Sequence, residues 1–116
     1  MDKKGFFQQV HALAARIPAG KIMTYGQIAQ ALGGVYSPKL VGFAMSAAPD
    51  GGNLPCHRVV NRLGEMAPGF AFGGQERQRS LLESEGAPFL PDGRVDVGLA
   101  RFEPGSRLLA EIMGQD

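Results

Sequence analysis

Cys56, His57 and Arg58 stand side by side in the stretch Leu54-Pro55-Cys56-His57-Arg58-Val59-Val60, which holds the only cysteine and one of the two histidines of the chain. A thiolate is the attacking form of cysteine, and an adjacent imidazole and guanidinium lower a thiol's pKa, so Cys56 reads as a nucleophile. The competing reading is a small buried hydrophobe, because free cysteine is among the most buried residue types. Pro55 favours the first. It fixes its own φ and pushes Leu54 into an extended conformation, so that a rigid turn presents Cys56 just ahead of the apolar pair Val59-Val60.

The chain that must hold this turn has 116 residues, 44% of them apolar, enough for one packed domain with a single core. No apolar run approaches the ~20 residues of a membrane span. The N-terminal Met1-Asp2-Lys3-Lys4-Gly5-Phe6-Phe7 has neither a long apolar stretch nor a cleavage signature, and no signal peptide is read there. One unpaired cysteine then fits a cytoplasmic protein. A lone cysteine and two distant histidines cannot close a zinc site, so no metal is expected. Charge is unevenly spread. Residues 1–64 carry seven basic and two acidic side chains, residues 65–116 five basic and nine acidic, an arrangement that can hold a polyanion on one face of a nearly neutral protein.

The expected fold is a mixed, mostly α domain of the helix-turn-helix or winged-helix kind, with two or three short strands near residues 57–61 and 94–97. Phe6, Val10, Leu13, Ala14 and Ile17 keep one helical face over residues 3–17, ended by Pro18-Ala19-Gly20. His11 lies beside that stripe and receives no role. Thr24-Tyr25-Gly26-Gln27 fits a capping box that opens a helix to about Leu32, and Gly33-Gly34 stops it. Ser37-Pro38 opens a third helix to about Ala47, before Pro49-Asp50-Gly51-Gly52. Two short helices with a brief link form a helix-turn-helix. The third helix offers only Lys39 and Ser46 as polar readers, so it suits sequence-independent contact, its small residues Gly42, Ala44, Ser46 and Ala47 admitting a groove wall. Residues 75–85 form a helix burying Leu81 and Leu82 and capped by Gly86. Glu85 at its end opposes the helix dipole, which points to a partner. The tail, residues 87–116, ends in an amphipathic piece with Leu108, Leu109, Ile112 and Met113.

Pro55-Cys56-His57-Arg58-Val59 resembles the active-site motif of the O6-alkylguanine-DNA alkyltransferases. The resemblance runs over roughly residues 6–86 and takes in Thr24 to Ala29, Val41 to Met45, Gly73-Gly74 and Leu81 to Gly86. The short length, the run Gln75 to Arg79 and the tail Gly93 to Val97 are more similar to the alkyltransferase-like proteins, a sister group that binds alkylated guanine without removing the alkyl group and usually has tryptophan or alanine at the position of Cys56. The resemblance implies that Cys56, His57 and Glu85 act as nucleophile, base and orienter, with a water between thiol and imidazole. It implies DNA contacts at Tyr25, which crowds a phosphate, at Lys39, which stands where the family has a stack-filling arginine, and at Gly42, Ala44 and Arg58. It also implies a base pocket closed by a loop with Phe70, Ala71 and Phe72, Ala71 replacing a tyrosine. Ala48 replaces the family's asparagine.

The resulting expectation is a monomer that binds double-stranded DNA, flips an O6-alkylguanine and transfers the alkyl group irreversibly to Cys56, without a cofactor and without a membrane partner. A second expectation is a non-catalytic sensor that flips the same base and recruits nucleotide excision repair proteins. A third is a plain DNA-binding module with a structural cysteine.

Overall fold

The computed structural model describes residues 3–48, 54–67 and 73–114. Helix α1 (Lys3–Ala14) is followed by the two-residue strand β1 (Met23–Thr24), helices α2 (Tyr25–Ala31) and α3 (Pro38–Ser46), and a 3-10 turn at Cys56–Arg58. Strand β2 (Val59–Val60), α4 (Gly74–Ser84), α5 (Val97–Ala100) and α6 (Ser106–Met113) complete the described elements. The domain is mostly helical, and the one sheet among the described residues is the parallel pair β1–β2, with Met23 opposite Val59 and Thr24 opposite Val60.

Local capping explains why α2 and α3 lie where the sequence puts them. The Thr24 hydroxyl accepts from the Gln27 amide at 3.0 Å while the Gln27 side chain accepts from the Thr24 amide at 3.2 Å, the reciprocal capping box. The Ser37 hydroxyl accepts from Leu40, and Pro38 takes the first helical position, where its missing N–H costs nothing. Helix α1 stops three residues short of the expected Ile17. Residues 16 and 17 close tighter bonds, Arg16 to Leu13 and Ile17 to Ala14, because Pro18 disfavours α geometry in the residue before it.

Apolar side chains gather in two clusters on either side of the strand pair. The first joins α1, α2 and α3 through Phe6, Leu13, Ile28, Val41 and Met45. The second joins Ile22, Val60, Met66, Leu82, Ala87, Val95 and Ala100. Successive strand residues point to opposite faces, so Val59 enters the first cluster and Val60 the second, as do Met23 and Ile22. Helix α4 buries Leu82 and Gln78, whereas Leu81, expected in the core, is only half-buried.

The segment 94–97 is not a strand. Val95 makes a single antiparallel bridge to Phe89, and the Asp96 side chain accepts from the Leu99 amide and starts α5. Alternation of apolar and polar residues there reflects a cap, not a pleat. The tail is nevertheless part of the body. Ile22 donates to the Ala100 carbonyl at 2.9 Å, Phe102 donates back to the Ile22 carbonyl at 2.8 Å, and the Gln27 side chain donates to the Phe102 carbonyl at 2.5 Å. Leu108, Leu109 and Ile112 of α6 pack on the first cluster. The break expected at Pro49 to Gly52 lies outside the described residues.

Gly64 shows how closely the tail is applied. Its φ is +80°, its carbonyl accepts from Val95 at 2.9 Å, and a Cβ there would strike the Val95 carbonyl oxygen. Left-handed backbone costs an ordinary residue roughly 1–2 kcal/mol and overpacking a further ~1–3 kcal/mol. Gly64→Ala is expected to lower unfolding free energy by about 2–5 kcal/mol, read from the urea midpoint. A change within ~0.5 kcal/mol, the range of neutral surface substitutions, would show that the Gly64–Val95 apposition is not tight.

Candidate active site

Pro55 sets the turn. With φ −79° and ψ 67° it forms the centre of an inverse γ-turn in which the Cys56 amide donates to the Leu54 carbonyl at 2.8 Å. The Arg58 amide then donates to Pro55 at 2.9 Å, closing the 3-10 turn that leads into β2. Pro55 and Val59 are buried and the three residues between them are half-buried, so the turn is clamped at both ends.

Glu85 caps the C-terminal end of α4 and receives both basic neighbours of Cys56. His57 Nε2 donates to Oε2 at 2.9 Å. Arg58 grips the same carboxylate in two places, Nε on Oε1 at 3.0 Å and Nη2 on Oε2 at 2.5 Å, while its Nη1 donates to the Ile17 carbonyl at 2.7 Å. The three side chains are 12%, 17% and 18% exposed for His57, Glu85 and Arg58, so water screens them little. Burial alone would raise the Glu85 pKa, but the hydrogen bonds from Arg58 and then His57, with their charges, outweigh it and hold the carboxyl below its ordinary value. This pairing also removes the clash between a carboxylate and the negative end of α4.

Cys56 itself differs from expectation. His57 and Arg58, its sequence neighbours, turn towards Glu85, and burial pushes the Cys56 thiol above its ordinary value, a hydrogen bond with its own backbone opposing this by less. Adjacency in sequence put both basic groups beside the thiol; in the fold Glu85 engages them. Tyr25 at the start of α2 is half-buried against the first cluster. Burial first, and then the charge of a nearby Cys56 thiolate, raise its phenol. Tyr25 and Cys56 therefore share one environment, with the His57–Glu85 pair attached to the same turn.

On α3 the expected contact residues separate by helical phase. Lys39 is exposed, and no atom lies within 4 Å of the position a Cβ would take on Gly42. Ala44 faces the core with 0% exposure, and its carbonyl accepts from His11 Nε2 at 2.6 Å, so His11 ties α1 to α3. Ala44 thus lies on the face opposite Lys39. Arg58, expected as a DNA contact, spends three donor nitrogens on Glu85 and Ile17 instead. Phe70, Ala71 and Phe72 lie outside the described residues. Among the described residues no group of three or more His, Cys, Asp or Glu side chains could hold a metal.

Gln78 was not singled out by the sequence reading, yet it is fully buried and braces the site. Its Nε2 donates to the His57 and Val59 carbonyls at 3.2 and 3.3 Å, and its Oε1 accepts from the Ala67 amide at 2.8 Å. The signal was its phase: Gln78, Leu82 and Glu85 fall at i, i+4 and i+7 on the inward face of α4.

A carboxyl with a depressed folded pKa stabilises the fold above its unfolded value and loses that stabilisation as pH falls through the folded one. Glu85→Gln is therefore expected to be less stable at pH 7 by about 2 kcal/mol, the scale of hydrogen bonds to charged groups. The gap should close as pH drops below about 4.3, the ordinary glutamate value. Urea unfolding of both proteins across this range measures it, and a gap independent of pH would contradict the ionised pairing.

Residues 5–87 match the family described as 6-O-methylguanine DNA methyltransferase, DNA binding domain. The chain is 36% identical over 103 residues to the DNA base-flipping protein of Escherichia coli (strain K12), covering 88% of this chain and 78% of that protein. It is 41% identical over 81 residues to the methylated-DNA–protein-cysteine methyltransferase of Shigella flexneri, covering 70% of this chain but only 46% of that protein. Among solved structures, the S. pombe alkyltransferase-like protein in complex with damaged DNA containing O6-carboxymethylguanine superposes with a TM-score of 0.78 at 30% identity, covering 90% of this chain and 100% of that one. With most of its length matched by the family and by these relatives, the chain belongs to the DNA-binding domain family of the 6-O-methylguanine DNA methyltransferases.

Proposed function

We propose that this protein binds duplex DNA, rotates an O6-alkylguanine out of the stack and transfers its alkyl group to Cys56. The observation that carries this reading is the His57–Glu85 contact of 2.9 Å on the same rigid turn as a retained cysteine. With Nε2 held by Glu85, the Nδ1 of His57 is left to take the thiol proton through a water. The sulfur attacks the alkyl carbon, the bond from that carbon to O6 breaks, and its electron pair leaves with the guanine. The proton from the thiol ends on the guanine, leaving a thioether on Cys56 and an unmodified base. No further reactant is needed, and each molecule acts once. Burial raises the thiol pKa, so a general base is needed to take its proton.

Incubating the protein with a duplex containing O6-methylguanine is expected to add one methyl group per chain, located on the Cys56 peptide by mass spectrometry. Cys56→Ser should bind the same duplex and gain nothing. Absence of the methyl, with Cys56 still open to a small alkylating reagent, would overturn transfer.

A second reading is favoured by one observation, that both basic neighbours of the thiol are bonded to Glu85. In it the protein flips the same base without transfer and marks it for excision repair proteins, in keeping with relatives named for base flipping whose lengths it largely spans. Preferential binding to the alkylated duplex without a mass change on Cys56 is its signature.

In either reading the exposed Lys39 at the start of α3 faces phosphate. Lys39→Ala should weaken binding to all duplexes and reduce the slope of log affinity against log salt by about one unit, one phosphate contact. Lys39→Arg should keep the parent's affinity and salt slope, since a guanidinium neutralises one phosphate as an ammonium does. Unchanged affinity and slope in Lys39→Ala would remove α3 from the DNA surface.

A further inference from the structure

One large apolar side chain stands exposed on the outer face of α3. Phe43 is 56% exposed and is a member of neither apolar cluster. Val41, Ala44, Met45 and Ala48 supply the buried phase of this segment, and Lys39, Gly42, Phe43, Ser46 and Ala47 lie on the other. That outer face carries a cation and no acid. Gly42 beside Phe43 leaves the backbone bare, and the Ser46 hydroxyl is turned back onto the Gly42 carbonyl at 3.1 Å. Lys39 can neutralise a phosphate, but its ammonium cannot fill a flat apolar slot. Phe43, one turn further along the same face, is the one planar side chain there with the reach to do so.

We propose that Phe43 is the wedge of this protein: it enters the minor groove beside the target and stacks in the gap that an extruded nucleotide leaves. The proposal rests on the base-flipping reading above. Extrusion unstacks two flanking bases, and an aromatic ring inserted between them restores contact on both sides. Lys39 and Phe43 divide the work, the first holding the backbone and the second the stack. Gly42 between them lets the helix come close enough for the ring to reach.

The test uses the full chain and the variants Phe43→Ala, Phe43→Leu and Phe43→Tyr, titrated against three duplexes of one sequence: unmodified, with O6-methylguanine, and with an abasic site that already lacks the base. Because Phe43 is exposed, all variants should keep the thermal midpoint of the parent, which is measured first. Phe43→Ala is expected to lose about tenfold or more in affinity for the methylated and abasic duplexes, the scale of one base–aromatic contact. It should lose less than twofold for the unmodified duplex, with the salt slope unchanged. Phe43→Tyr should retain parental affinity and Phe43→Leu fall between. Equal affinity of parent and Phe43→Ala for the abasic duplex would overturn the wedge. So would a parent that sediments as a dimer, a Phe43→Ala that sediments as a monomer, and unchanged affinity for DNA in both. A parent that does not prefer the methylated duplex would instead defeat the O6-alkylguanine reading, and the abasic arm would still decide Phe43.

Discussion

Two adjacent valines bear the fold and the site together. Val59 and Val60 pair with Met23 and Thr24, and because successive strand residues face opposite ways, each valine anchors a different apolar cluster. A pair this short cannot be stable by its own hydrogen bonds. It persists because both faces are covered, the first by the three helices of the amino-terminal half and the second by α4 and the tail. The turn with Cys56 leads directly into this seam, and so the position of the thiol is fixed by packing on both sides of the chain that follows it.

Electrostatics completes what packing starts. Glu85 compensates two basic side chains at once, and Arg58 passes the constraint to the Ile17 carbonyl just beyond α1. Removing one partner of such a set leaves another unpaired in a poorly screened place. The imidazole is therefore held in one orientation by a carboxylate that is itself held.

Much of this was readable in the residues because it is local. Thr24 with Gln27 and Ser37 with Pro38 cap helices through contacts three residues apart, and the structure contains both. The phase of α3 was also readable, since Val41, Ala44, Met45 and Ala48 form an apolar stripe, yet Ala44 was assigned to the outer face for its small size. Features that depend on distant partners were not. Nothing in Met23-Thr24 announces a strand, because its partner comes 36 residues later. Arg94 to Val97 alternates like a strand, but Asp96 meets the Leu99 amide before any ladder forms. Arg58 was given to an outside partner because the Ile17 carbonyl, 41 residues earlier, leaves no trace in the motif. The triad was suggested by family resemblance, and Glu85 alone signalled itself, as an acid where a helix end disfavours one.

The stitching of Ile22 to Ala100 and Phe102 governs the order in which the chain can mature during synthesis. Residues around Ile22 emerge early, but their outer partners follow almost eighty residues later. At roughly 5–20 residues per second, the second cluster stays open for seconds while the helices of the first half are already free to pack. The nascent chain thus exposes the apolar edges of Ile22 and Val60 until residues 95–102 arrive. The cysteine turn gains its rigid footing only when residues 95–102 have joined the second cluster.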